Sequence, residues 1–122
     1  MRFACLLLFV LLCSTVKADV TVKEYTEAKA NPGMAEILSS HIKGLGEGFG
    51  WANADLELAG RPPLFCAPRN LALAAENYFD IIERKIAAAK SKYTQEKVEK
   101  LYIPMLLLHG LEETFPCNAD GK

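Results

Sequence analysis

Cysteines, histidines, glycines and clustered carboxylates are the residues of this chain with chemistry to offer. Cysteines stand at positions 5, 13, 66 and 117, and the first two fall in an apolar leader, so Cys66 and Cys117 are left as an even pair. In an exported chain such a pair is expected to join as a disulfide. Closing a loop of about 50 residues would stabilise the fold by ~4 kcal/mol on a chain-entropy argument. Zinc is the poorer reading, because there is no C-x-x-C and His41 and His109 lack the spacing of a ligand pair. Pairing the cysteines removes the obvious nucleophile, and no Ser-His-Asp order stands out. The residues therefore point away from an enzyme, and no metal or cofactor is expected.

Gly44, Gly46, Gly48 and Gly50 alternate as G-x-G-x-G-x-G. A dinucleotide fingerprint needs G-x-G-x-x-G after a strand, and a phosphate loop needs a lysine and a hydroxyl; neither is present. On a helix, Gly44, Gly48 and Ala52 share one face at i, i+4 spacing, as do Gly46 and Gly50. The expectation is close helix packing or a local kink, with Gly44 and Gly48 as the packing pair, in spite of the roughly 1 kcal/mol that each helical glycine loses against alanine. Glu47, Asp55 and Glu57 lack any pocket signal around them and read as solvated helix surface, while His41 and His109 read as structural residues near apolar faces. Phe49 and Trp51 are expected in the core, with a partner-facing role as the sharper alternative.

The elements that position these residues follow from patterning. Arg2 and the apolar run Phe3 to Cys13, followed by Val16-Lys17-Ala18, read as a secretory signal cleaved after Ala18. The run is too short for the ~20 residues of a membrane span. Of the 122 residues, 104 would remain, as a domain over 19–122, with 12 basic against 15 acidic side chains and a net charge of −3. That balance argues against a nucleic-acid partner, which needs a clustered basic footprint.

Along the mature chain, helical character begins around Tyr25, and Asn31-Pro32 reads as a fresh N-cap and first turn. Ile37, Leu38, Ile42 and Leu45 keep helical spacing, and the pattern runs on through Trp51, Leu56 and Leu58 to a stop at Gly60. Gly60-Arg61-Pro62-Pro63 must be a loop. Asn70 is expected to cap a helix with a stripe of Leu71, Ala74, Ala75, Tyr78, Ile81, Ile82 and Ile86. After a polar break at Lys90 to Tyr93, Thr94 caps a last helix bearing Val98, Leu101, Met105, Leu108 and Leu111, which Pro104 kinks or splits. Asn118 to Lys122 reads as a frayed tail. The fold class is all-α, a compact bundle of three to five helices with one disulfide. Antiparallel helices joined by a short turn would bring Cys66, just before one helix, beside Cys117, just after the last.

Taken together, these segments resemble the Rap/Tai family of immunity proteins. His41-Ile42-Lys43-Gly44-Leu45-Gly46-Glu47-Gly48 is similar to its Y-I-x-G-x-x-x-G stretch, Phe65-Cys66-Ala67-Pro68 to its F-C-x-P step, and Leu107 to Cys117 to its closing A-L-x-x-x-F-P-C. The similarity covers roughly residues 34 to 117. His41 stands where tyrosine is usual, Gly110 where alanine is common, and a second cysteine pair near the first two helices is lacking. The resemblance implies a small helical periplasmic protein that binds and inhibits a peptidoglycan amidase delivered by type VI secretion. In that family the matching cysteines and glycines are structural. A protein partner is thus expected, met from one face or as a homodimer, with the loop around Lys90, Lys92 and Tyr93 as first contact and Arg61 second. The rival expectation is an exported structural or stress-related binding protein, such as an acid-activated chaperone, without a toxin partner.

Overall fold

A computed structural model describes residues 19–68 and 71–118. The expected signal over 1–18, the Asn70 cap and the last four residues of the tail lie outside these. Five helices follow one another among the described residues: α1 (Val22–Ala30), α2 (Ala35–Leu58), α3 (Ala75–Lys90), α4 (Gln95–Glu99) and α5 (Ile103–Thr114). Cys66 and Cys117 are bonded, with their Cα atoms 4.9 Å apart. The all-α bundle with one disulfide is what the periodicity and the cysteine pair led one to expect.

Local chemistry explains the helix ends. Thr21 and Glu24 form a reciprocal capping box at α1, the Glu24 carboxylate accepting from the Thr21 N–H at 2.8 Å and the Glu24 N–H donating to the Thr21 hydroxyl at 3.3 Å. At the other end of α2, Gly60 takes φ +67°, so the Arg61 N–H reaches the Leu56 carbonyl at 2.8 Å and the Gly60 N–H reaches that of Glu57 at 3.0 Å. This paired closure needs a left-handed residue, which glycine supplies without strain.

Several expected boundaries move. Asn31 is not the cap of α2. Its side chain accepts from the Gly33 N–H at 3.0 Å and its carbonyl from Met34 at 2.9 Å, which builds a turn over Pro32-Gly33 before α2 begins at Ala35. The stripe expected from Leu71 becomes helical only at Ala75, where the Ala74 N–H donates to Asn77 Oδ1 at 2.8 Å. The Thr94 side chain makes no cap hydrogen bond. Pro104 splits the last helix: it is the second residue of α5, where the missing N–H is one the helix leaves unpaired in any case.

That split is held from outside. Val22 N–H donates to the Leu101 carbonyl and Ile103 N–H to that of Val20, both at 2.8 Å, so the segment leading into α1 and the α4–α5 junction pair as a short antiparallel bridge between Thr21 and Tyr102. Around it lies the core. Tyr25, Ile42, Ile82, Val98, Ile103, Leu107 and Leu111 are essentially sealed from solvent. Burying one such aliphatic side chain is worth ~1.5–3 kcal/mol.

Two glycines set the closest helix approaches, and they are not the two expected. A Cβ on Gly46 would run into the ring of Tyr78, and one on Gly110 into the side chain of Ile81. Gly44 and Gly48 have nothing within 4 Å of such an atom and face solvent. The reason is angular: at about 100° per residue, positions two apart point to nearly opposite sides of a helix. The alternating run therefore turns Gly46 inward against α3 and leaves Gly44 and Gly48 outward. Trp51, expected in the core, lies on that same outward side and is 77% exposed.

Candidate partner-binding groove

α3 and α5 run antiparallel. Gly110 lies against Ile81, the Arg84 guanidinium donates to Thr114 at 3.3 Å, and Lys85 reaches Glu113 at 2.6 Å. Ala88 and Ala89, at the end of α3, share a lining with Tyr102, Met105 and Leu106, at the start of α5. Between them a groove of about 400 Å³ opens. Its floor is apolar, from Ala88, Ala89, Leu101, Leu106 and Met105, while Tyr93 and Tyr102 supply aromatic walls and Lys85, Lys92, Lys100 and His109 the polar rim.

The backbone under this rim is pinned. Lys92 and Tyr93 donate their N–H groups to the Ala89 carbonyl at 3.0 and 2.9 Å, which winds the chain tightly past the end of α3. Ser91 closes the same turn by donating its hydroxyl to the Ala88 carbonyl at 2.7 Å. On the opposite wall, Tyr102 sits in the bridge with Thr21. Groups held in place before binding lose less entropy when a partner arrives.

The charge of the groove opposes that of the chain. Lys85 is partly neutralised by Glu113, whose carboxyl is held below the usual range by the hydrogen bond from Lys85. Lys100 pairs with Glu96 at 2.6 Å, with both side chains in solvent, where such a pair contributes little. Lys92 adds a further cation to the rim. An apolar trough with tyrosine walls and lysine edges suits a peptide segment that carries an apolar or aromatic side chain beside a carboxylate.

Of the residues singled out as contacts, Lys92 and Tyr93 line the groove. Lys90 does not; it stands at the end of α3 where its charge helps lower the pKa of Glu83, on the side toward α1. Arg61 belongs to the other end of the bundle, beyond α2, where the chain turns toward Cys66 and the C-terminal end of α5. The structure thus does not join Arg61 and the loop into one site. His41 and His109 are both exposed rather than structural, and His109 lies on the groove rim. Glu47, Asp55 and Glu57 are solvated helix surface, as expected.

Tyr102, Lys100, Lys85 and Met105 are groove residues that patterning did not find. Met105 was placed in the core stripe, yet it is exposed. Reading one helix from Gln95 onward carries the wrong phase across the break at 100–102; α5 instead buries Ile103, Leu106, Leu107, Gly110 and Leu111. The aromatic Tyr102 two residues before Pro104 was the available signal.

Two further sites are structural. Asn53 is buried on α2, donating to the Phe65 carbonyl at 2.5 Å and accepting from the Leu64 N–H at 2.7 Å, which ties α2 to the strap that carries Cys66. Glu83 accepts from the Tyr25 hydroxyl at 2.8 Å and from Lys29 at 2.5 Å, tying α1 to α3. Burial opposes ionisation of Glu83, but the two hydrogen bonds outweigh it and hold its carboxyl below the usual range. Burial, followed by the bond to Glu83, pushes the Tyr25 hydroxyl up. Among the described residues no group of side chains is arranged to hold a metal ion. No family model, curated protein or solved structure matches the chain.

Proposed function

We propose that this chain is an exported binding protein that acts by presenting a rigid surface, seating a segment of a protein partner in the groove between α3 and α5. The observation that carries this reading is the placement of Lys92, Tyr93 and Tyr102 on pinned backbone around an apolar trough. Export is supported by the Cys66–Cys117 bond, since disulfides persist in oxidising compartments. No helix among the described residues is long and apolar enough to cross a membrane. The resemblance in Phe65-Cys66-Ala67-Pro68 and Phe115-Pro116-Cys117 supplies the finer proposal: the partner is a peptidoglycan amidase effector, and the protein is the periplasmic immunity factor that occludes it.

Calorimetric titration of the protein against a panel of such amidases tests the proposal. Nanomolar binding to at least one, with loss of its hydrolytic activity, is expected. If every amidase is neither bound nor inhibited, the immunity role falls. One observation favours a second reading, an acid-stress chaperone: the clamp of Tyr25 and Lys29 on Glu83 weakens when that carboxyl is protonated, which would loosen α1. Suppression of client aggregation near pH 2–3, without binding to any amidase, is the result that selects it.

A further inference from the structure

Charge is divided unevenly along this chain. Every residue that lines the groove falls within 85–109. That stretch carries five lysines against two glutamates, while the rest of 19–122 carries seven basic against thirteen acidic side chains. Among the described residues no carboxylate lines the groove, whereas Lys85, Lys92 and Lys100 all reach it. Tyr93, Tyr102 and Met105 stand exposed between those lysines. A basic trough on an acidic body draws an acidic partner toward the trough and disfavours other orientations.

The three lysines are not equivalent. Lys100 is paired with Glu96, and both side chains are wet. Lys92 makes no side-chain hydrogen bond or ion pair among the described residues. Lys85 lies against Gly110, where an added Cβ would come within 3.2 Å of its Cγ, and its ammonium ends on Glu113 at 2.6 Å. The Lys85 side chain is only 21% exposed, but that of Glu113 is 67% exposed. Glu113 is nevertheless held below the usual carboxylate range, by the hydrogen bond from Lys85 first and by the charges of His109 and Lys92 in addition. Three basic groups of the groove thus converge on one carboxylate, which the chain itself supplies from outside the lining.

We propose that the occupant of the groove is an acidic peptide segment, whose apolar side chain enters the trough while its carboxylate takes Lys85 from Glu113 and meets Lys92 beside it. This rests on the reading that the groove seats a segment of a protein partner, and it names the chemistry of that segment. Glu113 is then a stand-in that satisfies Lys85 in the free protein and is released to solvent on docking. The exchange costs little, because an ion pair with one member in water contributes little. The pair that replaces it is covered by the docked segment, where charge-assisted hydrogen bonds are stronger. A flat anionic membrane would meet these lysines less well, since they surround a depression that a protruding segment fills and a plane of headgroups spans.

Selection from a displayed library of random peptides, with the full chain as bait, tests the proposal without any named partner. The expected winners carry an aromatic or large aliphatic residue flanked by Asp or Glu. By calorimetric titration, Lys92→Glu is expected to weaken the synthesised consensus peptide at least tenfold. Glu113→Gln is expected to tighten it about two- to fivefold, the amount by which a wet ion pair competes. Lys43→Glu, exposed on α2, is expected to leave it unchanged. The inference is overturned if no peptide is enriched, if the winners lack acidic residues, or if Lys92→Glu has no effect. Glu113→Gln that leaves affinity unchanged or lowers it removes the stand-in. Binding to phosphatidylglycerol vesicles in place of peptides would assign the groove to lipid and overturn the proposal as well. Acidic peptides selected by a protein that binds no amidase would sustain this inference while the immunity role falls, so the two failures are distinguishable.

Discussion

The two ends of the α3–α5 pair are built on different principles. At one end, Cys66 and Cys117 are covalently joined, the Cys66 N–H donates to the Phe115 carbonyl at 2.8 Å, and buried Asn53 is satisfied on both sides of its amide by the same strap. At the other end, tyrosines, lysines and Met105 line an open trough, and the Lys100–Glu96 pair on its rim is in solvent. The first end fixes the scaffold and shows few groups to a partner. The second displays groups on its open side, above the core residues Val98 and Ile103 that gather at the bridge between Thr21 and Tyr102. Such a division allows the display end to vary without loss of the fold.

Substitutions should separate the ends sharply. The largest effect is expected from Cys66→Ser, which releases a crosslink spanning 51 residues and should cost about 4 kcal/mol in chemical denaturation. Next comes Gly46→Ala, because the added methyl meets the Tyr78 ring and must displace it; a loss of about 1–3 kcal/mol is expected from overpacking. Asn53→Ala leaves the Leu64 N–H and the Phe65 carbonyl without their partner and should cost about 1–3 kcal/mol. By contrast, Lys92→Ala and Tyr93→Ala should stay within about 0.5 kcal/mol of the parent. A large loss from either of these would erase the contrast between the ends.

Acid offers a smaller and more graded probe. The carboxyl of Glu83 is lowered in the fold, so its contribution is present above the pH at which it titrates in the unfolded chain, and is lost as pH falls through its folded value. Tyr25 is raised, so its contribution is present below about pH 10 and is lost as pH climbs above that. Denaturation midpoints should therefore decline on both sides, with Glu83→Gln flattening the acid limb. An acid limb unchanged by that substitution would remove Glu83 as its source.

How much of this was legible in the sequence depends on which force set each feature. The disulfide and the helical class were legible, because an even cysteine pair and 3.6-residue periodicity report physics that acts locally or covalently. The stop at Gly60 was legible for the same reason. The start of α2 was not, since Asn31 has equally good use in a turn with Pro32-Gly33 as in a cap. Gly44 and Gly48 were mistaken for the packing pair because spacing alone gives a face but not which face is inward; Tyr78, far off in sequence, decides that. Of the groove, only Lys92 and Tyr93 were found, as residues of a visible polar break. Tyr102 and Met105 escaped because the bridge to Thr21 resets the helical phase, and that pairing is long-range.

Partner binding at the open end is the central claim. Its most direct test is Tyr93→Ala measured against whichever amidase the parent protein binds, by calorimetric titration. At least a tenfold loss of affinity is predicted, with the melting temperature moved by no more than a degree or two. Undiminished affinity would show that the partner is held elsewhere and would contradict the assignment of the groove.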